Sequence, residues 1–118
     1  MKENYPIFVK WHQTLDWLLN RVESFPKSVR FSISTRIVNL SLDIMELIVE
    51  SIYSPPQKRT AIIDQTNLKL EKLRVFVRIC MERRYLSLRQ FEYIAEEIDE
   101  AGRMLGGWKR SEKKKVPV

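Results

Sequence analysis

The 118-residue chain carries a single histidine, His12, and a single cysteine, Cys80. Nucleophilic catalysis needs a nucleophile, a base and an orienting group within reach of one another. Any Ser-His-Asp or Cys-His arrangement would therefore have to use His12. That residue follows Trp11 near the start of an amphipathic pattern, where a surface or partly packed imidazole is the ordinary outcome. Cys80 falls on an apolar stripe and reads as a small core residue. One His and one Cys cannot furnish a tetrahedral zinc site. Carboxylates crowd the stretch from Glu92 to Glu100, but di-metal centres in helix bundles use inward-facing Glu-x-x-His pairs, and the chain has none. Glu92 and Glu96, one turn apart, read as a solvated face. The three glycines, Gly102, Gly106 and Gly107, all lie near the C-terminus, so most of the chain has no glycine-rich phosphate loop. The reading is of a protein without a catalytic constellation, a metal site or a cofactor.

What remains is charge. Twenty-one Lys and Arg residues face fifteen Asp and Glu, a formal net charge of +6, which favours polyanionic partners such as RNA or DNA. The surplus is uneven. Between residues 58 and 84, Lys58, Arg59, Lys69, Lys72, Arg74, Arg78, Arg83 and Arg84 oppose Asp64, Glu71 and Glu82, a local +5. Between 88 and 108, Glu92, Glu96, Glu97, Asp99 and Glu100 oppose Arg89 and Arg103, a local −3. From 109 onward, Lys109, Arg110, Lys113, Lys114 and Lys115 oppose Glu112, a local +4. Lys27 and Arg30 add a basic connector. Of these, Lys27, Arg30, Lys58, Arg59, Lys69, Lys72, Arg74, Arg78, Lys109, Arg110, Lys113, Lys114 and Lys115 are the candidate nucleic-acid- and partner-binding residues, since each phosphate contact releases counterions. The competing interpretation is a solvated face with intrahelical pairs, because Glu71–Arg74 and Arg78–Glu82 have i,i+3 and i,i+4 spacing; the lysine run can equally be a solubilising tail. Trp11, Trp17 and Trp108 could stack on bases, with packing the better reading for all three.

The elements that must position these groups are helical. Phe8, Trp11, Leu15, Leu18, Val22 and Phe25 step by three and four, the seam of an amphipathic helix from Pro6 to Phe25 that Pro26 ends. A basic connector, which could also be an early first turn, leads to a second helix from about Ile33, with Ser32 as its N-cap, to Tyr53. That helix has two apolar stripes, Ile33–Ile37–Leu40–Ile44–Leu47 and Val38–Leu42–Met45–Val49–Ile52, as expected of a helix buried on two sides or at a subunit contact. Pro55-Pro56 breaks the chain. A third helix, capped by Thr60, is expected to about Arg84, with Ile63, Leu70, Leu73, Val77 and Cys80 inward. Ser87 and Gln90 form a capping-box pattern before a fourth helix, with Leu88, Phe91, Ala95, Ile98, Gly102 and Leu105 on one stripe, ending near Trp108 at Gly106-Gly107. The expectation is an all-α, antiparallel up-down four-helix bundle over residues 1–110 and a basic, disordered tail over 111–118. The apolar runs are too short to span a bilayer, no signal peptide is read at the start, and the free thiol fits a reducing, cytoplasmic setting.

Three stretches together suggest a family: Phe25-Pro26-Lys27-Ser28-Val29-Arg30-Phe31, then Leu73-Arg74-Val75-Phe76-Val77-Arg78, then Gly102-Arg103-Met104-Leu105-Gly106-Gly107-Trp108. Over about Trp11 to Arg110 the chain resembles the accessory variability determinant (Avd) proteins of diversity-generating retroelements. These belong to a wider four-helix-bundle set that includes the 23S rRNA intervening-sequence proteins. That second branch typically has Asn-Ile-Ala-Glu-Gly in its second helix; here the region reads Leu42-Asp43-Ile44-Met45-Glu46-Leu47, a poorer fit. The resemblance implies a homopentameric barrel and a non-enzymatic subunit that binds the retroelement's reverse transcriptase and associates with RNA or DNA during mutagenic cDNA synthesis. It places partner or phosphate binding on Arg74 and Arg78 and matches Lys27 and Arg30 to the basic connector. The alternative is a structural or protein-interaction bundle of the intervening-sequence type with no retroelement role.

Overall fold

The computed structural model describes residues 2–115, in which no strand occurs. Four α-helices follow one another: α1 (Pro6–Val22), α2 (Thr35–Tyr53), α3 (Pro56–Glu82) and α4 (Leu88–Lys115). Each packs on its neighbour in sequence and α1 also packs on α4, which closes an up-down bundle. The molecule is a rod of 51 × 22 × 22 Å. One end holds the α1–α2 and α3–α4 connections, where the rings of Phe25 and Tyr85 lie 5.8 Å apart. The opposite end holds the chain start, the α2–α3 turn and the last turns of α4, where Tyr5 and Trp108 lie 5.3 Å apart.

The core is aliphatic apart from Trp11 and Phe25. Ile37, Ile44 and Ile48 of α2, Ile63, Leu70, Leu73 and Val77 of α3, and Ile94, Ile98 and Leu105 of α4 are sealed around Trp11. Burying an indole requires a partner for its N–H; Trp11 Nε1 donates to the Ser41 carbonyl at 3.0 Å. The buried Ser41 hydroxyl donates to the Ile37 carbonyl at 2.7 Å, so neither polar group is stranded. Cys80 is fully buried and unoxidised, and burial alone pushes its thiol up to about 11. The three-four stripes hold with small rotations: α1 turns Ile7 and Thr14 inward beside Trp11 and Leu18, and α4 buries Ile94 and Ala101 where Ala95 and Gly102 were expected.

Several boundaries differ from the sequence reading, each for a local reason. α3 begins at Pro56, with Pro55 extended as its N-cap, because a proline in the first turn has no N–H to satisfy; Thr60 lies inside the helix. The connector to α2 is wound as a 3₁₀ turn (Lys27–Val29) and then a π turn (Arg30–Ser34), so Ser32 does not act as an N-cap. Thr35 Oγ1 donates to the Arg30 carbonyl at 2.7 Å, filling the wide turn. The Ser87–Gln90 box forms as expected: Gln90 N–H donates to Ser87 Oγ at 3.1 Å and Ser87 N–H to Gln90 Oε1 at 3.0 Å.

The largest departure is at the C-terminal end. No glycine takes positive φ, and α4 runs through Gly106 and Gly107 to Lys115. The expected glycine stop and the expected disorder of residues 111–115 are therefore corrected; residues 116–118 lie outside the described residues. The glycine penalty, about 1 kcal/mol each, is offset by what the added turns bury. Glu112 sits inside, and Trp108 packs against the core. The left-handed C-cap occurs instead at Arg84 (φ 64°), where the Tyr85 N–H reaches back to the Cys80 carbonyl at 2.8 Å and ends α3.

Candidate nucleic-acid interface

The thirteen candidate cations separate by what they touch. Arg59 is built into the bundle. Its Nε donates to the Ser51 carbonyl at 2.7 Å, and its Nη2 to those of Ile52 and Ser54 at 3.2 and 2.9 Å. These are carbonyls of the last turn of α2, which the helix itself cannot satisfy. Arg59 Nη1 then donates to Glu112 Oε1 at 2.8 Å, in a pair whose side chains are 12% and 2% exposed. Trp108 Nε1 donates to the same oxygen at 3.1 Å, and the guanidinium lies 5.5 Å from the Trp108 ring centroid. Arg59 is thus a lock between α2, α3 and α4, and it leaves the set of surface ligands.

Three more candidates are held by carboxylates around the middle of the rod or toward the end that holds the α2–α3 turn. Lys69 pairs with Asp43 at 3.3 Å, Lys109 with Asp64 at 2.5 Å, and Arg74 with both Asp99 and, at 3.4 Å, Glu71. Lys10, outside the candidate set, pairs with Glu97 at 2.5 Å, and this hydrogen bond raises its pKa. Arg103 is held by Glu96 and Glu100 at 2.7 and 2.6 Å. Carboxylates of α4, with Asp43 of α2 and Asp64 of α3, are therefore the internal counterions of the waist. Arg74 keeps over a third of its side chain exposed, but its charge is matched from two sides. Arg78 is exposed and only loosely approached by Glu82 at 3.7 Å; Lys72 is exposed.

Apart from Lys72, midway along α3, the cations without an ion pair among the described residues collect at the two ends. At the connector end, Lys27, Arg30, Arg36, Arg83, Arg84 and Arg89 are all exposed. At the opposite end, Lys58, Arg110, Lys113 and Lys114 are exposed, and Lys115 continues the same helix. Arg110 folds back along α4, where a Cβ on Gly106 would lie 3.5 Å from its Nη1; glycine leaves that space open. The structure thus replaces a basic third helix with a bipolar rod 51 Å long, with cationic ends and a largely neutralised waist.

The connector end contains residues that the candidate set omitted. Arg36, Arg83, Arg84 and Arg89 join Lys27 and Arg30 there, and Phe31 stands 89% exposed among them. A signal was present in the sequence, because residues 24–42 contain three cations and no carboxylate. The tryptophans are packing residues: Trp11 is sealed, Trp17 lies 5.0 Å from Tyr93, and Trp108 belongs to the lock. His12 is exposed beside Phe8, and no metal-binding cluster occurs among the described residues. No helix among the described residues is long and apolar enough to cross a membrane.

A family model described as bAvd-like matches residues 7–112. Neither the curated proteins nor the solved structures yield a match.

Proposed function

The chain belongs to the bAvd-like family, and from that premise we propose that it is a non-enzymatic accessory subunit of a diversity-generating retroelement. In this reading it binds the retroelement's reverse transcriptase together with template RNA or cDNA and supports mutagenic copying. The observation that carries the polyanion half of the proposal is the concentration of unpaired cations at the rod's ends, Lys72 excepted, while carboxylates neutralise most of its middle. Cations already matched by carboxylates gain little from a phosphate, whereas exposed and unmatched ones release counterions on contact.

Assembly of several copies, as a homopentamer, belongs to the same proposal. Val38, Leu42, Met45 and Val49 recur at steps of four, three and four and so share one face of α2. Leu42 remains 41% exposed and the other three half-buried in a single chain. An apolar stripe left partly uncovered supports contact with another copy.

The test is reconstitution. The protein is co-expressed with the reverse transcriptase encoded beside it, the pair is purified, and cDNA synthesis on the template RNA is measured with and without this chain. Co-purification and a requirement for the chain are expected. Full cDNA yield in its absence, with no association, overturns the proposal.

A further inference from the structure

Phe31 is the most exposed large apolar side chain among those of the described residues. It is not a loosely held loop residue. It sits in the π turn whose neighbours Val29 and Ile33 pack against the core and whose Ser34 is buried, so the ring is held outward by anchored backbone on both sides. Leaving a phenyl ring in water forgoes the stabilisation that burial would give, and a ring presented this way on a fixed turn is a contact surface.

The ring forms one wall of an open groove of about 530 Å³, shared with Ile33, Thr35, Arg36, Asn39 and Phe76 of α3. Ser32 also lines the groove; its hydroxyl is turned to the Val29 carbonyl and that of Thr35 to the Arg30 carbonyl, which leaves the Arg36 guanidinium and the Asn39 amide as the groove's functional polar groups. Lys27 and Arg30 lie just before it in the chain, and none of these three cations has an ion pair among the described residues. An aromatic face, a guanidinium and an amide in one open groove match the parts of an unpaired nucleotide: base, phosphate and base edge. A duplex keeps its base faces stacked and could use only the cations. An apolar protein surface would offer Lys27, Arg30 and Arg36 no counter-charge around a single ring, and burying an unpaired charge is costly.

We propose that this groove holds an unpaired nucleotide of single-stranded RNA or DNA, the base stacked on Phe31 and the phosphate on Arg36. The proposal rests on the polyanion-binding reading above and adds the strand state and the site. The test uses the full-length protein with fluorescein-labelled oligo(U) and oligo(dT) twelve-mers and a duplex of equal length, read by fluorescence anisotropy at several salt concentrations. Base–aromatic stacking predicts that Phe31→Ala weakens binding of the single strands roughly 5- to 150-fold, leaves the salt slope and duplex affinity unchanged, and is rescued by Phe31→Trp. Arg36→Gln instead flattens the salt slope. Oligo(U) and oligo(dT) responding alike indicates recognition of base and phosphate; loss confined to oligo(U) adds the 2′-hydroxyl as a contact, and either result supports the site. Wild-type affinity in Phe31→Ala, with wild-type binding intact, overturns the site alone. A changed particle mass by light scattering in Phe31→Ala overturns it in favour of a subunit contact. Absence of salt-dependent binding by the wild-type chain overturns the parent reading as well.

Discussion

Replacing Arg59 by methionine separates a structural arginine from a phosphate ligand. The side chain that would be lost donates to three carbonyls at the end of α2 and to the buried Glu112 carboxylate. Methionine keeps much of the stem but leaves those acceptors without the cation, and it leaves a carboxylate only 2% exposed facing Trp108. Removing one member of a buried, hydrogen-bonded pair typically costs about 3–5 kcal/mol. For a domain of this size that corresponds to a fall in Tm of about 10–20 °C. The assay is thermal and urea unfolding followed by circular dichroism at one fixed protein concentration, since assembly shifts apparent stability. Glu112→Gln retains an acceptor for the Trp108 N–H, and the double variant Arg59→Met/Glu112→Gln should cost less than the two single changes summed, by about 1–3 kcal/mol. A loss under about 1 kcal/mol in Arg59→Met, accompanied by weakened RNA binding, would refute the lock and return Arg59 to the surface set.

Further outcomes follow from the same geometry. Lys113→Glu with Lys114→Glu should leave stability within about 0.5 kcal/mol, as for exposed positions generally, while weakening RNA binding in an anisotropy titration. Arg84→Gly relieves a left-handed residue and should raise stability by up to about 1 kcal/mol while lowering RNA affinity through the lost cation, a combination read by unfolding and binding on one sample. Stability should fall as pH rises above about 9, because the unfolded thiol ionises near 9.0 whereas buried Cys80 holds its proton to about 11. The folded state binds more protons in that window, so the loss reaches about 2–3 kcal/mol by pH 11. Lys10, whose pKa is raised by Glu97, contributes stability that is complete below its ordinary value and lost above it, deepening the same alkaline decline. Urea midpoints from pH 7 to 11 check both.

Local chemistry made most of the fold legible. Prolines at 6, 26, 55 and 56 and the Ser87–Gln90 box act within a few residues, so the helix order and the places of all three connections could be read directly. What escaped was decided across the bundle. Gly106 and Gly107 are poor helix formers locally, yet the helix continues because Glu112 meets Arg59, a residue 53 positions away. No window along the chain contains both. The interface was half legible for the same reason: charge counts show where cations are, but not that Asp99 answers Arg74 or Asp43 answers Lys69. Phe31 was visible as part of a motif, and its outward position depends on the π turn that Thr35 supports.

The most direct measurement is the salt dependence of RNA binding by the purified chain. Four to six phosphates held by unmatched cations at one end predict that log affinity for a single strand falls with log salt with a slope of about −3 to −4. Charge reversals at Arg30 and Arg84 should flatten that slope, whereas reversal at Arg103, already matched by Glu96 and Glu100, should leave it nearly unchanged. A slope near zero, or one insensitive to changes at the ends, would contradict the account.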